Sequence, residues 1–208
     1  MRAFIYTGGK INIDNITEHP KGDDLIIAAD SGFENALSLG EKPQIALGDF
    51  DSFNCSKIPD GVELLKVPSE KDFTDTQLAV DTALARGASE IIIVGGLGGR
   101  LDHTLSNLSI LEDLSKKRIH AHITDGYNRV RYLNSTSTLI PKSGYRYLSL
   151  ICISEKAKGV SIEGCKYPLT NAKLTRPFQY AVSNEITGNC ALVSVRKGEL
   201  YIVESSEL

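Results

Sequence analysis

Through the first 125 residues, short uniformly apolar runs alternate with helical patterns. Ala3–Thr7 reads as a strand that stops at Gly8-Gly9. Leu25–Ala29 is too uniformly apolar for a half-exposed strand, and it stops at Asp30-Ser31-Gly32. Phe33–Leu39 follows as a short helix closed by Gly40. Gln44–Leu47 is a third strand, stopping at Gly48-Asp49-Phe50-Asp51-Ser52. Thr76–Arg86 reads as a helix closed by Gly87, with Thr74 and Gln77 at capping-box spacing. Glu90–Val94 is a buried strand running into Gly95-Gly96-Leu97-Gly98-Gly99-Arg100. Leu101–Lys117 is the longest helix, with Leu101, Leu105, Leu108 and Leu111 predicted as its apolar stripe. Ile119–Thr124 reads as a further strand. Uniformly apolar strands separated by helices predict a parallel sheet covered on both faces.

After Asp125-Gly126 the pattern changes to closely spaced strands with no helical periodicity between them: Val130–Leu133, Ser137–Ile140, Tyr145–Ile153, Gly159–Ile162, Ala191–Arg196 and Glu199–Glu204. Arg196-Lys197-Gly198-Glu199 is a tight turn between alternating strands. The fold class is therefore α/β: a Rossmann-like, parallel-sheet domain over residues 1–125, then a small all-β antiparallel sandwich over 126–208.

Charge sharpens this division. The net charge is only −3, which argues against a dedicated nucleic-acid binder. Residues 1–125 carry 20 acidic and 12 basic side chains, and residues 126–208 carry 6 acidic and 11 basic. All 13 aspartates lie in the first part. No apolar run approaches the ~18 residues of a membrane span, and Met1–Thr7 is too short for an export signal. Cys55, Cys152, Cys165 and Cys190 are too dispersed for a zinc site or a disulfide framework. A cytoplasmic protein that binds neither membrane nor nucleic acid is expected.

Ligands of open parallel sheets bind beyond the carboxyl ends of the strands. Asp30, Asp49, Asp51, Asp72, Asp75 and Asp102 all fall at or near such ends. Asp49 and Asp51 share a side of an extended segment, and Asp72 and Asp75 are spaced to share a helical first turn. Close carboxylates repel unless a cation balances them, and Mg²⁺ favours a few carboxylates plus phosphate oxygens. Each aspartate taken singly also fits a capping or turn role. The glycine-rich loop Gly95, Gly96, Gly98, Gly99 with Arg100 joins a strand to a helix, and either cradles phosphate or only turns the chain. It is neither a Walker A loop nor a Gly-x-Gly-x-x-Gly fingerprint. His103 shares that rim, whereas His120 and His122 read as metal ligands or as polar positions of a half-buried strand.

Asp30-Ser31-Gly32, Gly48–Ser52, Lys71-Asp72-Phe73-Thr74-Asp75, Gly95–His103 and Ser183-Asn184-Glu185, in this order, resemble the thiamine pyrophosphokinase family along essentially the whole chain. The resemblance implies transfer of the pyrophosphoryl group of ATP to the hydroxyl of thiamine, giving thiamine diphosphate and AMP. It implies an ATP- and Mg²⁺-binding catalytic domain, a sandwich that binds thiamine and dimerises, and a homodimer with a composite site. Carried over residue by residue, Asp49, Asp51 and Asp75 would hold Mg²⁺. Asp30, Gly95, Gly96, Gly98, Gly99, Arg100, Asp102 and His103 would serve ATP. Lys71, Asp72, Ser183 and Asn184 would meet thiamine. Asp51, Asp72, Asp75 and Arg100 would carry catalysis, with Asp72 accepting the hydroxyl proton or, alternatively, the metal activating the hydroxyl. Some family members place a Trp against the thiamine ring; this chain has none, and Tyr167 is the nearest aromatic substitute. The basic excess of the second part is expected to aid docking on an acidic partner domain. Rival readings are another Mg²⁺-dependent phosphoryl or pyrophosphoryl transferase acting on a pterin or sugar, and a non-catalytic nucleotide-sensing dimer.

Overall fold

The apolar runs of the first half become the strands of a parallel sheet. β1 (Arg2–Tyr6), β2 (Leu25–Ala29), β3 (Ile45–Gly48), β4 (Glu63–Lys66), β5 (Glu90–Val94) and β6 (His120–Thr124) lie in the order β4-β3-β2-β1-β5-β6. Every neighbouring pair is parallel. The computed structural model describes residues 1–49, 59–67 and 72–207, and the chain divides into two compact units, Met1–Gly126 and Tyr127–Leu208.

In the first unit, Phe4, Tyr6, Ile26, Ile92 and Val94 cluster on one face with Ala36 of α1 (Gly32–Ser38). The alternate positions Ile5, Ile27, Ile45, Ile91 and Ile93 point to the other face and are equally buried. Each such side chain contributes about 1.5–3 kcal/mol on burial. α2 (Asp75–Ala85) packs against β1 to β3, and α3 (Leu101–Lys116) against β6. Burial on both faces leaves no alternation, which is why these strands read as uniform apolar runs. β4, with sequence ELLK and three of its four residues exposed, is an edge strand whose mixed pattern gave no strand signal.

Two expectations for the helices change. Leu101 and Leu105 are exposed, at 69% and 56%. The inward line of α3 is instead Asn107, Ile110, Leu111 and Leu114, at i, i+3, i+4 and i+7. At the start of α2, Thr74 Oγ1 accepts from the Gln77 amide at 3.2 Å, but the Gln77 side chain turns to Asp81 (3.1 Å) rather than back to residue 74. Only half of a capping box forms.

The amino-terminal ends of the strands carry a charge cluster. Arg2 donates from Nε (3.1 Å) and Nη2 (2.5 Å) to Asp24 Oδ2, which also accepts from the Lys21 amide at 2.9 Å. Glu18 lies 3.4 Å from Arg2 and 3.3 Å from His122 Nε2.

The second unit is all strand among its described residues: β7 (Asn128–Asn134), β8 (Ser137–Pro141), β9 (Tyr147–Cys152), β10 (Lys156–Glu163), β11 (Leu169–Thr175), β12 (Cys190–Ser194) and β13 (Glu199–Ser205). β13 pairs antiparallel with β7 and β9. β11-β10-β12-β8 is a separate antiparallel sheet. Leu148, Leu150, Val160, Ile162, Val193, Leu200 and Ile202 belong to one core drawn from both groups of strands. The turn at 196–199 therefore joins β12 and β13 across two sheets rather than closing a hairpin. Gly198 makes this possible: a Cβ there would stand 2.7 Å from the Lys156 carbonyl oxygen. β11 escaped the period-two reading because Leu174 is its only buried residue. Buried Glu204 accepts from Ser143 Oγ at 2.9 Å and from Arg131, with Arg129 at 3.7 Å. No helix among the described residues is long and apolar enough to cross a membrane.

Candidate active site

β1 is the point where the strand order reverses, since β2 to β4 build outward on one side and β5 and β6 on the other. Beyond such a point the strand ends leave a crevice, and the loops leaving β1 and β5 stand within hydrogen-bond reach there, the Gly96 amide donating to the Gly8 carbonyl at 3.3 Å. A cavity of about 360 Å³ occupies that position. It is lined by Thr7, Gly8 and Gly9 after β1, Asp30 and Ser31 after β2, and Gly96, Gly98, Gly99 and Arg100 after β5. Thr74, Asp75 and Thr76 at the start of α2, with His103 and Asn107 of α3, complete the wall.

The loops come this close because glycine leaves room. A Cβ on Gly32 would stand 2.1 Å from the Tyr6 carbonyl oxygen. Gly96, at φ +75°, would place a Cβ 2.6 Å from Asn107 Nδ2. Asp30 itself has φ +49°, the left-handed region that Asp tolerates better than most side chains. Asp30 lines the cavity, and its backbone and Cβ lie against Gly48, where a Cβ would meet them at 3.4 Å.

The predicted residues divide. Asp30, Asp75, Gly96, Gly98, Gly99, Arg100 and His103 line the one cavity. Gly95 is buried behind it, with its amide bonded to the Thr124 carbonyl at 2.8 Å. Asp49 follows β3 and is half-buried. Asp72 precedes the cap residue Thr74, so it is exposed and outside the helical turn that Asp75 begins. Asp51 and Lys71, like Cys55, lie outside the described residues. No three His, Cys, Asp or Glu side chains among the described residues are grouped to hold a metal ion. Asp102 is exposed and pairs with Arg100 Nη2 at 2.6 Å. That bond lowers the Asp102 pKa and raises that of Arg100.

In the second unit, Tyr167 is 59% exposed, with Lys166 Nζ 5.5 Å from its ring centroid. Buried Asn184 donates to the Tyr167 carbonyl (2.7 Å) and accepts from the Tyr167 amide (2.9 Å). It thus fixes the backbone that carries the ring. Ser183 is exposed at φ +58°, its amide held by Ser149 Oγ at 3.0 Å.

Thr7, Gly8, Gly9, Thr76 and Asn107 line the cavity without having been named as candidate site residues, and Ser31 and Thr74 line it as motif neighbours of Asp30 and Asp75. Gly8-Gly9 carried the same signal as Gly95-Gly96, a glycine pair directly after a buried strand. Asn107 was hidden because His103, Asn107, Ile110 and Leu114 fall along one line of α3 whose first half is polar.

Known proteins supply the remaining comparison. Residues 17–123 match the family described as thiamin pyrophosphokinase, catalytic domain, and residues 136–200 match its vitamin B1 binding domain. The chain is 34% identical over 209 residues to a thiamine pyrophosphokinase of Bacillus subtilis (strain 168), covering 98% of both. A crystal structure of thiamine pyrophosphokinase from Bacillus subtilis superposes with a TM-score of 0.88 at 30% identity, over 100% of both chains. One from Geobacillus thermodenitrificans gives 0.86 at 28%, covering 100% of this chain and 98% of its own. The chain belongs to the thiamine pyrophosphokinase family.

Proposed function

We propose that the chain transfers the pyrophosphoryl group of ATP to thiamine, and that the cavity between the β1 and β5 loops is where ATP binds. The observation that carries this reading is the meeting of two glycine loops, Arg100, Asp30 and Asp75 in one cavity, whose lining from Ala29 onward falls inside the segment that matches the catalytic domain. The switch-point crevice supports a Rossmann-like description of the first unit, and the shared core a sandwich in the second.

The hydroxyl oxygen of thiamine forms a bond to the β-phosphorus, the bond from that phosphorus to the α–β bridging oxygen breaks, and AMP leaves with the electron pair. Asp72 takes the hydroxyl proton. Arg100, released from Asp102, neutralises charge spreading over the transferred oxygens. The glycine loops, Asp102 and His103 hold the nucleotide. The oxygen donors Asp49 and Asp75, with Asp51, suit a hard cation such as Mg²⁺. Held there, such an ion would supply positive charge against the phosphate oxygens. Lys71, Tyr167 and Ser183 contact thiamine, with Asn184 fixing Tyr167, and a homodimer brings the second unit of one subunit to the cavity of the other.

The test is AMP and ADP production by the full chain with ATP and Mg²⁺, with and without thiamine. Thiamine-dependent AMP is expected. ADP would make it a simple phosphoryl transferase, and ATP binding without turnover would make it a sensor; either overturns the reading.

A further inference from the structure

We propose that Asn35 and Asn107, two helix-borne carboxamides, are positioning residues that lace the two glycine loops into one pre-formed phosphate cradle. The inference rests on the ATP reading of the cavity. Asn107 Nδ2 donates to the Gly96 carbonyl at 2.9 Å. The Gly96 amide donates to the Gly8 carbonyl at 3.3 Å. Asn35 Nδ2 spans the same turn from the other side, donating to the carbonyls of Thr7 (2.7 Å) and Gly9 (3.0 Å). A continuous path of hydrogen bonds therefore runs from α3 through the β5 loop and the β1 loop to α1.

Two features argue that this lacing serves the ligand rather than the core. Asn107 is 3% exposed and heads the inward stripe continued by Ile110, Leu111 and Leu114, where an apolar residue would pack without a polar group to satisfy. Asparagine is also a weak helix former in a helix interior. The loops it serves are rich in residues with little conformational preference of their own: Gly9, Gly95, Gly96, Gly98 and Gly99 all have positive φ. Without lacing, such a segment loses its freedom when ATP arrives and weakens binding accordingly. Neither asparagine needs to touch ATP; each fixes carbonyls, and through them the direction of the neighbouring amides.

The test compares Asn107→Leu, Asn35→Leu and the double variant in the full chain, reading kcat, KM for ATP, KM for thiamine and thermal melting. Asn107→Leu should raise KM for ATP about tenfold and Asn35→Leu about threefold, with KM for thiamine within twofold. The double variant should stay near tenfold, because one break already frees the shared Gly96–Gly8 link. A purely structural role would reduce active enzyme, lowering kcat with both KM values unmoved, and that result overturns the proposal. So does a thirtyfold double effect, which means two independent supports. Should Asn107→Leu not fold, the half-exposed Asn35 still reads the same link. Calorimetric titration with ATP and Mg²⁺, without thiamine, reads the cradle even if no AMP forms. Tenfold weaker binding to Asn107→Leu then upholds the cradle while the transfer reading fails, and unchanged binding overturns the cradle.

Discussion

The two units solve the burial problem differently, and the difference decides where their polar residues can go. In the first, β5 reads EIIIV and is buried along nearly its whole length, so no strand interior has room for chemistry. Its reactive groups are displaced to the loops beyond the strand ends, where three of them meet one cavity. In the second, β9 and β13 alternate buried and half-buried residues. Polar side chains there lie along the strands, and even the core edge holds Glu204 among Arg131, Arg129 and Ser143. A parallel sheet concentrates function at an edge; an antiparallel one spreads it over faces and turns.

The strongest way to break this contrast is at Asp75. It begins α2 and faces the cavity, so its carboxylate serves both a helix dipole and the site. Asp75→Asn should lower thiamine-dependent AMP formation roughly 10³-fold. It should reduce stability by less than about 1 kcal/mol, the worth of a first-turn acid. Near-normal AMP formation would show that the cavity edge is not where the chemistry sits. Next in size is α3, where Leu114 is fully buried and Leu105 is 56% exposed. Leu114→Ala should cost about 3 kcal/mol in denaturant unfolding, and Leu105→Ala under about 0.5 kcal/mol. Equal losses would restore the Leu101–Leu105 stripe as the packed face.

That helix also shows what was legible in the sequence and what was not. Strands β1, β2, β3 and β5 were plain because burial on both faces leaves a nearly unbroken apolar run, and β6, with His120 and His122 in it, was legible from its place between a helix and the Asp125-Gly126 turn. Their glycine and aspartate ends were plain because such residues rarely crowd together without a turn or a ligand. The inward stripe of α3 was masked because it begins with a polar residue, Asn107, and the first turn before it presents exposed His103 to the cavity. Function and core share one helix face, and hydrophobic periodicity sees only the core. The edge strands β4 and β11 were missed because an edge needs few buried residues: β4 has none and β11 only Leu174. Tyr167 stood out solely as an aromatic, and nothing in its spacing foretold that Asn184 would hold its backbone at both the amide and the carbonyl.

Smaller effects sharpen the comparison from its quieter sides. In the second unit, Tyr167 is exposed and its ring contributes little to packing. Tyr167→Ala should raise KM for thiamine about fivefold, in line with ~1 kcal/mol for an aromatic stack, while leaving KM for ATP and the melting temperature unchanged. Tyr167→Phe should behave as the unmodified chain. A rise in KM for ATP instead would tie this face to the nucleotide.

The smallest effect lies at the opposite ends of the first unit's strands, where charge serves stability rather than chemistry. Burial pushes the Asp24 pKa up, but the Arg2 guanidinium and the Lys21 amide outweigh it and hold the carboxyl below its ordinary value of 3.8. A carboxyl lowered in the folded state stabilises it fully above that ordinary value, and the contribution fades as pH falls through the folded-state value. Asp24→Asn should therefore cost about 1 kcal/mol at pH 7, where Arg2 loses a charged partner. The gap from the unmodified chain should hold from pH 7 to about 5 and close below about 4. AMP formation should not change, because Asp24 is at the amino-terminal end of β2 and the cavity at its carboxyl end. Denaturant midpoints across that pH range, read beside the AMP assay, separate the two ends of the sheet. A gap that widens toward acid would mean that Asp24 is strained in the folded state rather than favourably paired, and a fall in activity would mean that the two ends are coupled through the strands.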